Sequence, residues 1–122
     1  MVFVGLIALL LLAQNAFAKP APKRIVFPRG ATTVKVSGAL KRLKDEARFV
    51  LKAKKGQRLE VRGEGRGSLR IFVDFPNGEG DGAPGGVEID SLPADGDYII
   101  RVHESSIGEA WKGSFTLKIT VK

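Results

Sequence analysis

The chain has no cysteine, one histidine, one tryptophan and one tyrosine in 122 residues. Without cysteine there is no disulfide and no lipid-bearing cysteine, so the fold is held by its core alone even in an oxidising compartment. A lone His103 has only carboxylates as fellow ligands, which removes the common zinc sites. Catalysis through His103 would need Ser105 or Ser106 to converge on it, and closeness along an extended chain tends to separate side chains. Few aromatics count against nucleic acid, whose bases stack on exposed rings. The expectation is a protein that is not an enzyme and needs no cofactor.

What is present first is an apolar start, MVFVGLIALLLLAQNAFAKP. Ala16-Phe17-Ala18 is a small-x-small cleavage site, and residues 1–18 read as a secretory signal peptide that lacks the usual basic start. The rival reading is a retained anchor, for which the apolar stretch is barely a minimal span. Removing residues 1–18 leaves 104, enough for one domain with a modest core. No span remains after cleavage. A plain leader and a core without staples suit a bacterial periplasmic or secreted protein. The net charge of +7 survives cleavage. Residues 19–70 hold 16 basic and 4 acidic groups, and residues 71–122 hold 4 and 9. Such asymmetry marks a basic binding face unless the halves interleave in the fold.

Residues 19–24, KPAPKR, read as a flexible basic and Pro-rich arm. From residue 25 to 122 the pattern has period two. Phe49, Leu51 and Ala53 share one face, as do Leu59 and Val61, and Tyr98, Ile100 and Val102. Leu69, Ile71 and Val73 form another inner face, with Phe72 oddly on the outer side. Phe115, Leu117, Ile119 and Val121 make the clearest amphipathic strand. Strands are predicted over 24–27, 33–38, 47–53, 57–62, 68–74, 86–91, 97–103 and 114–122. Residues 76–86 read as a long Gly-rich loop, and 39–47 as the one stretch able to form a helical turn. About eight short, mostly antiparallel strands imply a single all-β sandwich, jelly-roll-like in its strand number.

The stretch LPADGDYIIRV, residues 92–102, poses the question of chemistry. Asp95 and Asp97 resemble a carboxylate pair. Nothing nearby would split their acidities as acid–base work requires. Pro93, Asp95 and Gly96 instead have the chemistry of a turn entering a strand. Together with FVLKAKKGQRLEV at 49–61 and FTLKI at 115–119, this stretch resembles the bacterial pre-peptidase C-terminal-like β-sandwich. The resemblance covers residues 25–122. As a short domain behind a leader, the chain is similar to the periplasmic inhibitors of g-type and i-type lysozymes. That resemblance implies a non-catalytic module that places loops in a lysozyme cleft. Its counterpart here is the loop bearing Ser105, Ser106, Trp111 and Lys112. The i-type inhibitors carry a Tyr in such a loop, and this chain does not.

Two further sites are weighed. The run Lys41, Arg42, Lys44, Arg48, Lys52, Lys54, Lys55 and Arg58 is a candidate contact for an anionic glycan or surface polymer. Asn77, Glu79 and Asp81, with Glu88 at the twelfth position, have the spacing of a calcium loop. Pro84 and flanking strands argue against that loop. The partners implied are a lysozyme or other secreted protein, or an anionic glycan, and not nucleic acid.

Overall fold

The computed structural model describes residues 21–41, 45–64, 69–104 and 113–122. The leader expected at 1–18 lies outside them. The described residues form nine strands: β1 (Lys23–Arg24), β2 (Thr33–Leu40), β3 (Glu46–Ala53), β4 (Leu59–Glu64), β5 (Leu69–Asp74), β6 (Gly80–Pro84), β7 (Gly86–Ile89), β8 (Gly96–Glu104) and β9 (Gly113–Val121). They build two sheets, ordered β1-β3-β8-β5-β6 and β2-β9-β4-β7. All pairings are antiparallel except β1 with β3.

The alternation seen in the sequence is what buries the core. Phe49, Leu51, Leu59, Val61, Ile71, Val73, Tyr98, Ile100, Val102, Phe115, Leu117 and Ile119 all point between the sheets and are buried. Each such side chain contributes about 1.5–3 kcal/mol by leaving water. No polar or charged side chain is buried among the described residues. Gly38 on β2 makes room for a ring. A Cβ there would sit 2.6 Å from Phe115 Cζ, and Phe115 meets Phe49 edge-to-face at 6.3 Å and 90°.

Three expectations are corrected. The long loop at 76–86 is a short turn followed by β6, which pairs with β5 from Arg70↔Pro84 to Asp74↔Gly80. A strand of Gly, Asp, Ala and Pro has no apolar period, so its conformation comes from its partner. The 39–47 stretch is not helical where it is described: Ala39 and Leu40 end β2, Glu46 and Ala47 open β3, and 42–44 lie outside the described residues. The basic arm ends in structure. Lys23 and Arg24 pair in parallel with Phe49 and Val50, the Ile25 amide donates to the Val50 carbonyl at 2.8 Å, and Ile25 is buried.

Candidate interaction surfaces

The two ends of the sandwich differ in kind. At one end the turns 54–58 and 90–95 are tied together, and Phe75 of the neighbouring turn packs its ring 5.6 Å from that of Tyr98. The Gly56 amide donates to the Leu92 carbonyl and the Leu92 amide to the Gln57 carbonyl, both at 2.8 Å. Asp95 accepts from the Lys55 amide at 2.7 Å, and Gln57 from the Lys54 amide at 2.8 Å. The buried Tyr98 donates its hydroxyl to the Ala94 carbonyl at 2.6 Å. Gly96 supplies a φ of 137° that disfavours any side chain. The AKKGQ segment, Ala53–Gln57, and the LPADGDY segment are therefore two halves of one joint. Asp95 holds a backbone amide and Asp97 holds Arg24, so neither is set up for acid–base chemistry. Both guanidinium bonds from Arg24, at 2.9 and 3.2 Å, keep the Asp97 carboxyl below its ordinary range.

Among the described residues the opposite end is framed by strand ends, the Lys41–Asp45 contact and the Gly85 turn, whose amide donates to the Leu69 carbonyl and whose carbonyl accepts from the Gly63 amide. Register places Leu40 beside Gly113, Glu46 beside His103, Glu64 beside Thr116 and Leu69 beside Glu104. The chain thus leaves and re-enters the sandwich at this one end on either side of 41–45, 65–68 and 105–112. Ser105, Ser106, Trp111 and Lys112 lie outside the described residues, as do Arg42 and Lys44. Lys41 is exposed, and its amide donates to Asp45 at 2.8 Å.

The basic run does not form one face. Arg48 and Lys52 stand on the outer side of the five-stranded sheet, and Lys54 and Lys55 fall in the tied turn. Arg58 belongs to the other sheet, where it bridges Glu60 at 3.3 Å, Glu88, and Asp90 at 3.6 Å. The chain changes sheet between β3 and β4, which parts neighbours in sequence. The calcium spacing is parted in the same way. The Asn77 and Asp81 carbonyl and carboxylate oxygens accept from nearby amides of Glu79 and Gly82. Glu88 lies on β7 in the other sheet, on Arg58. Among the described residues no three His, Asp or Glu side chains gather to hold a metal ion.

The outer side of the four-stranded sheet is evenly charged. Arg62 bonds Glu60, and Lys35 reaches Glu64 at 3.4 Å. The Arg62 bond, more than Arg58, holds the Glu60 carboxyl below its ordinary range against the desolvation that would raise it. A shallow groove of about 380 Å³ runs beside Glu60, Arg62, Gly86 and Glu88.

The outer side of the five-stranded sheet holds what the sequence reading missed. Phe72 stacks on His103 at 5.0 Å and 11°, and Arg101 lies 5.1 Å from the same ring centre. Asp74 fixes Arg101 with bonds of 2.7 and 3.1 Å, which raises the Arg101 pKa above its ordinary value. The outward Phe72 was the only signal. Its partners follow from register, with Phe72 opposite Arg101 and Arg70 opposite His103.

No protein-family model and no curated protein matches the sequence. Solved structures do match the fold. The periplasmic inhibitor of g-type lysozyme (PliG) from Aeromonas hydrophila is 22% identical with a TM-score of 0.70, over 83% of this chain and 96% of that one. The Salmonella Typhimurium PliG is 20% identical with a TM-score of 0.68, over 85% and 100%. A mutant of the Escherichia coli PliG is 25% identical with a TM-score of 0.65, over 84% and 100%. The chain shares the β-sandwich of these inhibitors across nearly their whole length.

Proposed function

We propose that the protein is an exported, non-catalytic inhibitor of a lysozyme, with the g-type as its first target. The observation that carries this reading is the likeness to the Escherichia coli inhibitor, which the chain covers in full at 25% identity. Export rests on the leader at 1–18, cleaved after Ala18, and gives a periplasmic or secreted protein. The contact with the enzyme is the end of the sandwich between Leu40, Glu64, Glu104 and Gly113. There Ser105, Ser106, Trp111 and Lys112 connect β8 to β9. Glycoside hydrolases place two carboxylates at the scissile bond. Lys112 would face these acids, and Trp111 would supply the apolar anchor typical of a binding hot spot. Inhibition then needs no chemistry, only occupancy of the cleft.

The test is titration of g-type, i-type and c-type lysozymes with the exported protein at physiological salt. The expected result is stoichiometric inhibition of the g-type enzyme. Trp111→Ala should weaken it by roughly 30-fold, the effect of losing a hot-spot anchor. No inhibition of any class at micromolar protein overturns the reading.

A further inference from the structure

We infer that Asn77 is a site of spontaneous chemical modification, where the side-chain amide is lost and the main chain rearranges. The sequence has two asparagines, Asn15 in the leader and Asn77 in the turn that joins β5 to β6. The exported chain therefore carries a single asparagine, and Gly78 follows it. Asparagine is among the heat-labile residues, and its neighbour decides how labile. The attacking group is the backbone nitrogen of the next residue. A side chain there crowds the approach, and glycine has none. Asp81-Gly82 and Asp95-Gly96 have the same order. An ionised carboxylate is a poor electrophile, however, and Asp95 is taken by the Lys55 amide.

The turn prepares both reacting groups. Pro76, Asn77 and Gly78 link Phe75 to Glu79, whose backbones are bonded at 2.8 Å, and all three are exposed. Gly78 has a φ of 89°, and a Cβ built on it would meet nothing within 4 Å. The Asn77 side chain is folded back over the turn, because its Oδ1 accepts from the Glu79 amide at 3.0 Å. That bond polarises the Cγ carbonyl. It is also in place to hold the negative charge that gathers on Oδ1 when a nitrogen adds to Cγ, as an oxyanion donor does. The Gly78 amide donates to the Phe75 carbonyl at 3.1 Å, near the long end of the normal range, and gives up this bond to react. Hydroxide takes the Gly78 amide proton. The nitrogen bonds to Asn77 Cγ, the Cγ–Nδ2 bond breaks, and ammonia leaves with a proton from water. Water then opens the five-membered imide. Opening at Cγ leaves an aspartate. Opening at the α-carbonyl leaves a main chain that runs through Cβ. Either product lowers the net charge of +7 by one. The second also lengthens the turn that carries Phe75 against Tyr98.

The experiment incubates the exported protein at mildly alkaline pH, folded in buffer or unfolded in guanidinium chloride. Isoelectric focusing follows the acidic forms, and peptide mapping locates aspartate and isoaspartate. Folded protein should gain both products at position 77. Its rate should be no less than roughly a tenth of the unfolded rate, since an exposed turn reacts without a costly opening of the fold. Asn77→Ser has no amide to lose and keeps an oxygen for the Glu79 amide. It should form acidic species far more slowly than the parent. Position 77 is exposed, and thermal unfolding establishes that the variant is folded. A folded rate below roughly a tenth of the unfolded one overturns the inference, because the turn then shields Asn77. Acidic species that form as fast in Asn77→Ser overturn it too, because the amide lost is then another. Lysozyme inhibition takes no part in these readouts, so the two readings fail independently.

Discussion

On the outer side of the four-stranded sheet, Thr33 meets Thr120 at 3.1 Å and Ser37 meets Thr116 at 3.4 Å. Arg58, Arg62 and Lys35 each reach an acid. On the outer side of the five-stranded sheet the middle is taken by Phe72, His103 and Arg101 in contact, beside a strand of glycines. Both surfaces come from strands of the same period with the same kind of inner face. The difference arises between strands. Short hydroxyl side chains that face their own kind give a thin, evenly solvated layer. An aromatic facing an arginine on one side and a glycine on the other gives a thicker layer with an edge.

The largest expected effect comes from breaking that layer. Phe72→Ala removes the stack, the cation–π contact and part-buried apolar area, and should cost about 2 kcal/mol, less than for a full core aromatic. A urea midpoint that falls with an unchanged slope would verify this. A change of less than about 0.5 kcal/mol would place Phe72 with the ordinary surface residues of the other sheet.

Acid brings the two sides together. Asp97 on one and Glu60 on the other have lowered folded-state pKa values. A lowered carboxylate contributes stability that is fully present above its unfolded value, about 4, and is lost as pH falls through the folded one. Unfolding midpoints should therefore be level down to about pH 4 and decline below it. Asp97→Asn and Glu60→Gln should each flatten the decline, the effect shrinking as salt is added because both pairs are exposed. A decline unaltered in both variants would assign it to other groups.

The smallest effect is expected from Thr120→Val, which removes the hydroxyl contact with Thr33 and keeps a β-branched shape. Stability should change by no more than about 0.5 kcal/mol, as for an exposed neutral hydrogen bond. A loss comparable to that of Phe72→Ala would erase the contrast between the two sides.

The inner faces were legible because a half-buried strand writes its burial into every second residue. Tyr98, Ile100 and Val102 or Phe115, Leu117 and Ile119 can be read without knowing any partner. Leu40 and Val87 were not, since each is an isolated apolar residue whose burial depends on what lies across from it. β6 was illegible for the same reason, because Gly80 to Pro84 has no pattern of its own. The basic run looked like one surface because sequence shows order along the chain and hides the step from β3 in one sheet to β4 in the other. The Phe72 layer needed the register of β5 against β8, which no single strand contains. The recognisable motifs at 53–57 and 92–98 turned out to be the tied turns, which explains why they announce a fold so clearly and a partner so faintly.

The pairing of β2 with β9 has a consequence for how the protein comes into being. Among the described strands β2 is hydrogen-bonded to β9 alone, and Arg24, almost at the start of the described residues, is held by Asp97. Closing contacts across so much intervening chain is slow, and their entropy must be spent before they return anything. Until the nine-residue β9 is in place, β2 has no pairing partner among the described strands. The four-stranded sheet therefore closes late, when β9 arrives to sit between β2 and β4.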